Sequence, residues 1–276
     1  MRILRAEHLG MCFGVRDAIA LAHQCALSEP VTILGELVHN EAVLAMLREK
    51  GIESQNELAK VTSQTVMVTA HGASEKALRT MRETGLRVVE ATCPLVRLAH
   101  EALSNLVRTK YHPVIIGVRG HVEVRGMTED LDEFDVVLSE EELRSLRERP
   151  RLGIVAQTTQ PISKVRYLVQ LIRDRFPRSE VKFSDTVCQP TKQRQSAATE
   201  LARQSDVVLV IGGSHSNNTR ELIATCKLSC SRVFHVQDAS QLRPEWFADA
   251  ETVGITAGTS TPDTIIDAIE HWLAQL

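Results

Sequence analysis

Short runs of β-branched and aliphatic residues alternate with longer helix-like stretches, and the runs recur in one order three times. The first run of each copy ends in glycine and is followed, four positions later, by a hydrogen-bonding residue. VTILG ends at Gly35 and leads to His39-Asn40. PVIIG ends at Gly117 and leads to His121, with Glu123 close behind. VVLVIG ends at Gly212 and leads to Ser216-Asn217-Asn218. A second run follows in each copy and ends in small or hydrogen-bonding residues. VMVTA precedes His71-Gly72-Ala73-Ser74, LGIVA precedes Gln157-Thr158-Thr159, and VGITA precedes Gly258-Thr259-Ser260. Continuous apolar runs separated by helical stretches predict buried parallel strands in α/β units.

The first two copies then reach a cysteine, Cys93 in VVEATCP and Cys188 in FSDTVCQP. The third runs out of chain, so Cys12 in the opening segment is its counterpart if the N-terminus completes the last unit. The expected domains are 13–93, 94–187, and 188–276 together with 1–12. A helix is predicted after each cysteine. Val15, Ala18, Ile19, Ala22 and Ala26 form one apolar face, and Leu95, Leu98, Ala99, Ala102, Leu103 and Leu106 another; Pro94 suits a first turn. Pro190 opens the third helix. A thiol at a helix N-terminus is biased towards thiolate, the metal-binding form. Three such thiols make a metal or cluster site with one ligand position open.

Composition narrows the classes. A chain of 276 residues with 43% hydrophobic residues buries about three quarters of its unfolded surface. The net charge of −3 offers no basic field to nucleic acid or an anionic membrane. The opening segment has no long apolar core of a signal peptide, and no run approaches the roughly 18 residues of a membrane span. The expectation is a soluble, cytoplasmic protein without nucleic-acid or membrane partners. In that compartment six cysteines are small hydrophobes, nucleophiles or ligands rather than disulfides. Cys25 is expected in the core, and Cys226 and Cys230 at core or exposed helix positions.

His39, His71 and His121 fall at predicted strand ends, where α/β proteins place ligand groups. Together with Ser216, Asn217, Asn218, Ser260 and Thr158, and with turns leading into helices, they suit an anion with many acceptor oxygens, a phosphate or diphosphate. Glu123 lies two residues from such a histidine. Beside a polyanion it would keep its proton and could donate it; read alone, it is equally a surface glutamate. His8, His23, His100, His112, His215, His235 and His271 receive no role.

Nine motifs stand in an order that resembles one family: GMCFGVRDAI, ELVHN, AHGAS, EATCP, GHVEV, AQTTQ, VCQPTKQRQ, GGSHSNNTREL and AGTSTPD. The sequence is similar, nearly end to end, to the LytB family of 4-hydroxy-3-methylbut-2-enyl diphosphate reductases. The resemblance implies an α/β fold, a pseudo-threefold trefoil of three small α/β domains with mainly parallel sheets. It implies a central 4Fe–4S cluster held by Cys12, Cys93 and Cys188, with one iron open to substrate. It assigns His39, His71, His121, Ser216, Asn218 and Ser260 to the diphosphate, with Asn217 beside them. It gives Glu123 proton delivery, with His121 adjacent, and places Thr158 near the substrate hydroxyl. The implied reaction is reductive loss of that hydroxyl with electrons from a ferredoxin or flavodoxin, yielding isopentenyl and dimethylallyl diphosphate.

The sequence departs from the family pattern where Val122 replaces a usual proline and Arg125 a usual carboxylate. Loss of proline is expected to loosen the turn, and Arg125 to favour ionised Glu123. These departures admit a paralogue with the same cluster and another hydroxylated or phosphorylated substrate. From the residues alone, a zinc phosphoesterase or a non-catalytic cluster-based sensor also remains open.

Overall fold

The computed structural model describes residues 1–276. Strand β1 (Arg2–Arg5) leads to helix α1 (Phe13–Ala26). Next come β2 (Val31–Leu34), α2 (Glu41–Glu49), β3 (Glu53–Gln55), β4 (Thr65–Val68), α3 (Glu75–Glu83), β5 (Arg87–Glu90) and α4 (Pro94–Arg108). The middle of the chain holds β6 (His112–Ile116), α5 (Val122–Thr128), β7 (Asp135–Val137), α6 (Glu140–Leu143), β8 (Arg151–Ala156), α7 (Ile162–Arg175) and β9 (Glu180–Phe183). It ends with α8 (Gln189–Arg203), β10 (Val207–Ile211), α9 (Asn217–Lys227), β11 (Val233–Val236), β12 (Thr252–Ala257) and α10 (Asp263–Leu273).

Twelve strands form three four-stranded sheets, β3-β2-β4-β5, β7-β6-β8-β9 and β11-β10-β12-β1. Every pairing is parallel. Numbered within its own copy, each sheet has the order 2-1-3-4, and the fourth place of the last sheet is filled by β1. There Arg2 lies opposite Thr252 and Leu4 opposite Gly254. The N-terminus therefore completes the third unit, as the repeat requires. The predicted α/β class with parallel sheets is what the chain adopts.

Alternation along the strands buries both faces. In the second sheet Val114, Ile116, Leu152 and Ile154 pack with Val165, Leu168 and Ile172 of α7. The intervening Ile115 and Val155 pack with Ala99, Leu103 and Leu106 of α4. In the last sheet Val208 and Val210 meet Ala198 and Leu201 of α8 and Leu222 of α9, while Leu209 and Ile255 meet Ile266 and Ile269 of α10. Each such aliphatic chain contributes about 1.5–3 kcal/mol by leaving water.

The chain divides into two compact units. One comprises Met1–Arg16, Val38–Glu49 and Gln189–Leu276 and holds the sheet containing β1. The other comprises Asp17–Leu37 and Lys50–Cys188 and holds the remaining two sheets. No helix is long and apolar enough to cross a membrane.

Three details differ from the sequence-based expectation or sharpen it. Leu98 is 56% exposed, and the core face of α4 is Val96, Ala99, Leu103 and Leu106. Val96 stands one turn before Ala99 and two turns before Leu103, on the same face. Cys25 is half-buried rather than in the core, whereas Cys226 and Cys230 are buried. Burial and the neighbouring Cys230 push the Cys226 thiol up to about 12, so it is an inert apolar group.

Candidate active site

In all three sheets the first strand stops, the chain turns, and a polar residue caps the next helix. Ser216 begins α9, its hydroxyl accepting the Thr219 N–H. The Asn40 side chain accepts the Val43 N–H at 3.3 Å at the start of α2. His121 begins α5, and its Nδ1 accepts the Glu123 N–H at 3.2 Å. A neutral imidazole that accepts at Nδ1 carries its proton on Nε2, which makes that nitrogen a donor.

Within the unit built on the β1 sheet, the Ser260 hydroxyl donates to the His39 carbonyl at 3.3 Å. Gly213 faces the same carbonyl; a Cβ there would lie 2.4 Å from the oxygen, so the position admits no side chain. The Asn218 Oδ1 accepts the Thr259 N–H at 3.0 Å. Its Nδ2 is buried without a hydrogen-bond partner, a costly state for an amide and an apt one for a donor awaiting an acceptor. Ser216, Asn217 and Ser260 are buried beside it in sequence or strand-end position. Cys12 is half-buried, and its N–H donates to the Thr259 carbonyl at 3.1 Å. Arg194 of α8 was not singled out from sequence. It is buried and donates from Nε and Nη2 to the Gly10 carbonyl at 3.1 and 2.7 Å, fixing the turn before Cys12. The signal was a lone charge within an otherwise small and polar helix face.

Within the other unit the His71 and His121 rings meet edge to face with centroids 5.7 Å apart. Cys93 and Cys188 are half-buried. The Cys93 N–H donates to the Ala70 carbonyl at 3.1 Å, and the Cys188 N–H to the Thr158 carbonyl at 3.0 Å. Each of the three cysteines is thus seated in the same way, by a backbone bond to the loop after the third strand of its own sheet.

Glu123 is 1% exposed, which excludes the surface-glutamate alternative. Its Oε1 accepts the Thr158 N–H at 2.6 Å and its Oε2 accepts the Thr158 hydroxyl at 3.0 Å. Burial pushes the carboxyl from 4.5 up to about 7, against the opposing pull of the two Thr158 bonds. The expectation that Arg125 holds Glu123 ionised fails. Arg125 is exposed and acts on neither side of that balance, because residues two apart on a helix point to nearly opposite faces. At Val122, where the loss of proline is expected to loosen the turn, a helix cap is in place. Val122 opens α5 at the position where proline is favoured, and the His121 cap fixes the turn.

Within neither unit do three Cys, His, Asp or Glu side chains lie together within reach of one metal ion. The donor chemistry nonetheless fits an iron–sulfur group. Three thiols occupy equivalent places after the fourth strands, partly open to solvent, while Cys226 and Cys230 are sealed in the core.

The family model described as LytB protein matches residues 3–274. A 4-hydroxy-3-methylbut-2-enyl diphosphate reductase from Pelobacter propionicus is 36% identical over 271 residues, covering 98% of this chain and 96% of that protein. The Aquifex aeolicus protein of the same name is 37% identical over 282 residues, covering 99% and 96%. Among solved structures, the Plasmodium falciparum E-1-hydroxy-2-methyl-but-2-enyl-4-diphosphate reductase superposes with a TM-score of 0.92 at 24% identity, covering 100% of this chain and 87% of its own. An (E)-4-hydroxy-3-methyl-but-2-enyl diphosphate reductase, described as the terminal enzyme of the non-mevalonate pathway, gives 0.69 at 35% identity with full coverage of both chains. The family match spans nearly every residue, and the chain belongs to the LytB protein family.

Proposed function

We propose that the protein is a 4-hydroxy-3-methylbut-2-enyl diphosphate reductase, converting its substrate to isopentenyl and dimethylallyl diphosphate. The observation that carries this reading is the link from Glu123 through Thr158 to Cys188. A buried carboxyl that titrates near neutrality is held at both oxygens by Thr158, whose carbonyl seats a cysteine. A proton source and a candidate cluster ligand thus share one residue.

Cys12, Cys93 and Cys188 would hold a 4Fe–4S cluster. When bound, the group supplies one-electron steps and an iron that polarises the substrate oxygen. The remaining work falls to the chain. His39, His71, His121, Ser216, Asn217, Asn218 and Ser260 bind the diphosphate, the Nε2–H of His121 and the unspent Nδ2 of Asn218 serving as donors. Fixing that anion orients the carbon skeleton for reaction. Thr158 holds the Glu123 carboxyl in place, and Glu123 gives its proton to the departing hydroxyl, so that water leaves. Two electrons, from a ferredoxin or flavodoxin, and a second proton complete the balance. We place the enzyme in the cytoplasm, with no membrane or nucleic-acid partner. The reading takes one domain per sheet, 13–93, 94–187, and 188–276 with 1–12, bounds that enclose each sheet's own strands.

The test is anaerobic turnover of 4-hydroxy-3-methylbut-2-enyl diphosphate with reduced methyl viologen by the iron-loaded protein. Dye oxidation with five-carbon diphosphate products is the expected result. A loaded protein that leaves this substrate untouched overturns the assignment in favour of a relative with another substrate. No observation favours that second reading, since Val122 and Arg125, the departures that suggested it, leave the Glu123 contacts intact.

A further inference from the structure

Helix α5 carries His121 and Glu123 at one end and a pair of carboxylates at the other. Glu129 caps the C-terminus of α5. Its Oε2 accepts the Ser74 hydroxyl at 2.6 Å. The neighbouring Asp130 accepts the Glu75 N–H at 2.7 Å and the Lys76 N–H at 2.9 Å. These are the opening amides of α3, groups that a helix leaves without internal partners. Ser74 accepts the Ala77 N–H at 3.0 Å, so side chains satisfy three amides of that first turn. The loop so anchored is His71-Gly72-Ala73-Ser74.

One ring stands between the two elements, at the edge of a pocket lined by Glu75, His100, Met127 and Asp130. The His100 ring of α4 lies against both Gly72 and Gly126; a Cβ at either would be 3.6 or 3.5 Å from it. Gly72 holds φ +78° and passes close to Thr92 and Val96, so the loop cannot recede from this wedge by admitting a side chain. Burial lowers the His100 pKa and its Nε2 has no hydrogen-bond partner, which marks the ring as neutral packing. The loop of His71 and the helix of His121 are therefore tied at Ser74, Glu75 and Lys76 and spaced by His100. Their rings sit edge to face at 5.7 Å.

We infer that Glu129 and Asp130 are positioning residues that set the separation of His71 and His121, and so the affinity for a diphosphate. The inference rests on the diphosphate-binding part of the proposed function. Neither carboxylate touches the anion; they act through α3 and α5. A seven-residue helix is a rod of about 10 Å, so a shift at its carboxylate end moves the His121 end with it.

The experiment compares wild-type, Asp130→Ala, Asp130→Asn and Glu129→Gln proteins, full length and iron-loaded. Calorimetry measures the Kd of inorganic diphosphate, and anaerobic assay gives KM and kcat for the hydroxylated substrate. Asp130→Ala is expected to raise both Kd and KM about tenfold, the scale of lost charge-assisted bonds to amides. Its kcat stays within about twofold, because Glu123 keeps both Thr158 contacts. Asp130→Asn, which retains one acceptor, falls between wild type and Asp130→Ala and carries the test if the alanine protein does not fold. Glu129→Gln keeps only a neutral acceptor for Ser74 and is expected to shift Kd and KM in the same direction as Asp130→Asn. A lowered melting temperature or kcat with unchanged KM and Kd in the Asp130 variants overturns the inference and leaves a purely structural role. If the wild type binds diphosphate but does not reduce the substrate, the functional reading fails while the Kd comparison still decides this one.

Discussion

At the scale of single residues the decisive group is Glu123. General acid catalysis contributes about 10²–10⁴-fold, so Glu123→Gln is expected to lower kcat by at least that lower figure while substrate Kd stays near wild type. A variant that binds and turns over normally removes Glu123 from the mechanism. With the carboxyl at about 7, kcat/KM falls as pH rises through that value, since the protonated form is the donor. Thr158→Val deletes a hydrogen bond that lowers this pKa, and the falling limb moves to higher pH. Stability follows the same group with a definite sign. The folded chain keeps a proton that the unfolded chain releases between 4.5 and about 7. The stability associated with neutral Glu123 is fully present below that window and is lost as pH rises through it. Glu123→Gln flattens this limb in a plot of melting temperature against pH.

At the scale of elements, what the sequence made legible followed burial. The first and third strands of each copy read clearly because β-branched runs are the signature of strands covered on both faces. The edge strands, β3, β7 and β11 among them, did not. Glu53-Ser54-Gln55 has no apolar pattern, and its extended backbone is set by pairing with β2. Helix α4 was legible in extent but not in face, because leucine at position 98 mimics the core period while 56% exposed. A pair of variants measures the difference. Leu98→Ala is expected within about 0.5 kcal/mol of wild type, as surface changes usually are. Val96→Ala leaves a void beside Gly72 and lowers the denaturation midpoint by a clear margin with the slope m unchanged. Equal effects from the two would contradict the described face.

At the scale of the whole molecule, the repeat is both the fold and the argument for function. The 2-1-3-4 order in all three sheets places Cys12, Cys93 and Cys188 after equivalent strands, which spacing along the chain could suggest only by treating the N-terminus as the missing piece. Changing any of them to serine is expected to abolish broad absorption at about 400 nm and lower the bound iron after reconstitution. Cys25→Ser leaves both intact. Retention of colour in any of the first three would remove that residue from the ligand set. The caps at Asn40 and His121 lay within recognisable motifs. Arg194 and the Glu129–Asp130 pair escaped notice because their meaning lies in long-range partners, a carbonyl before Cys12 and the amides of α3.

Because β1 pairs with β12 across 250 residues of sequence, the sheet that holds β1 cannot assemble in the order in which its strands are made. Strand β1 is made long before the strand it pairs with. At about 5–20 residues per second, that interval is roughly 10–50 s, within which both internal sheets receive their last strands, ending at Glu90 and Phe183, before β10–β12 of the remaining sheet exist. Cys12 is the first of the three thiols to be made and the last to be seated, since its backbone partner Thr259 emerges after β12.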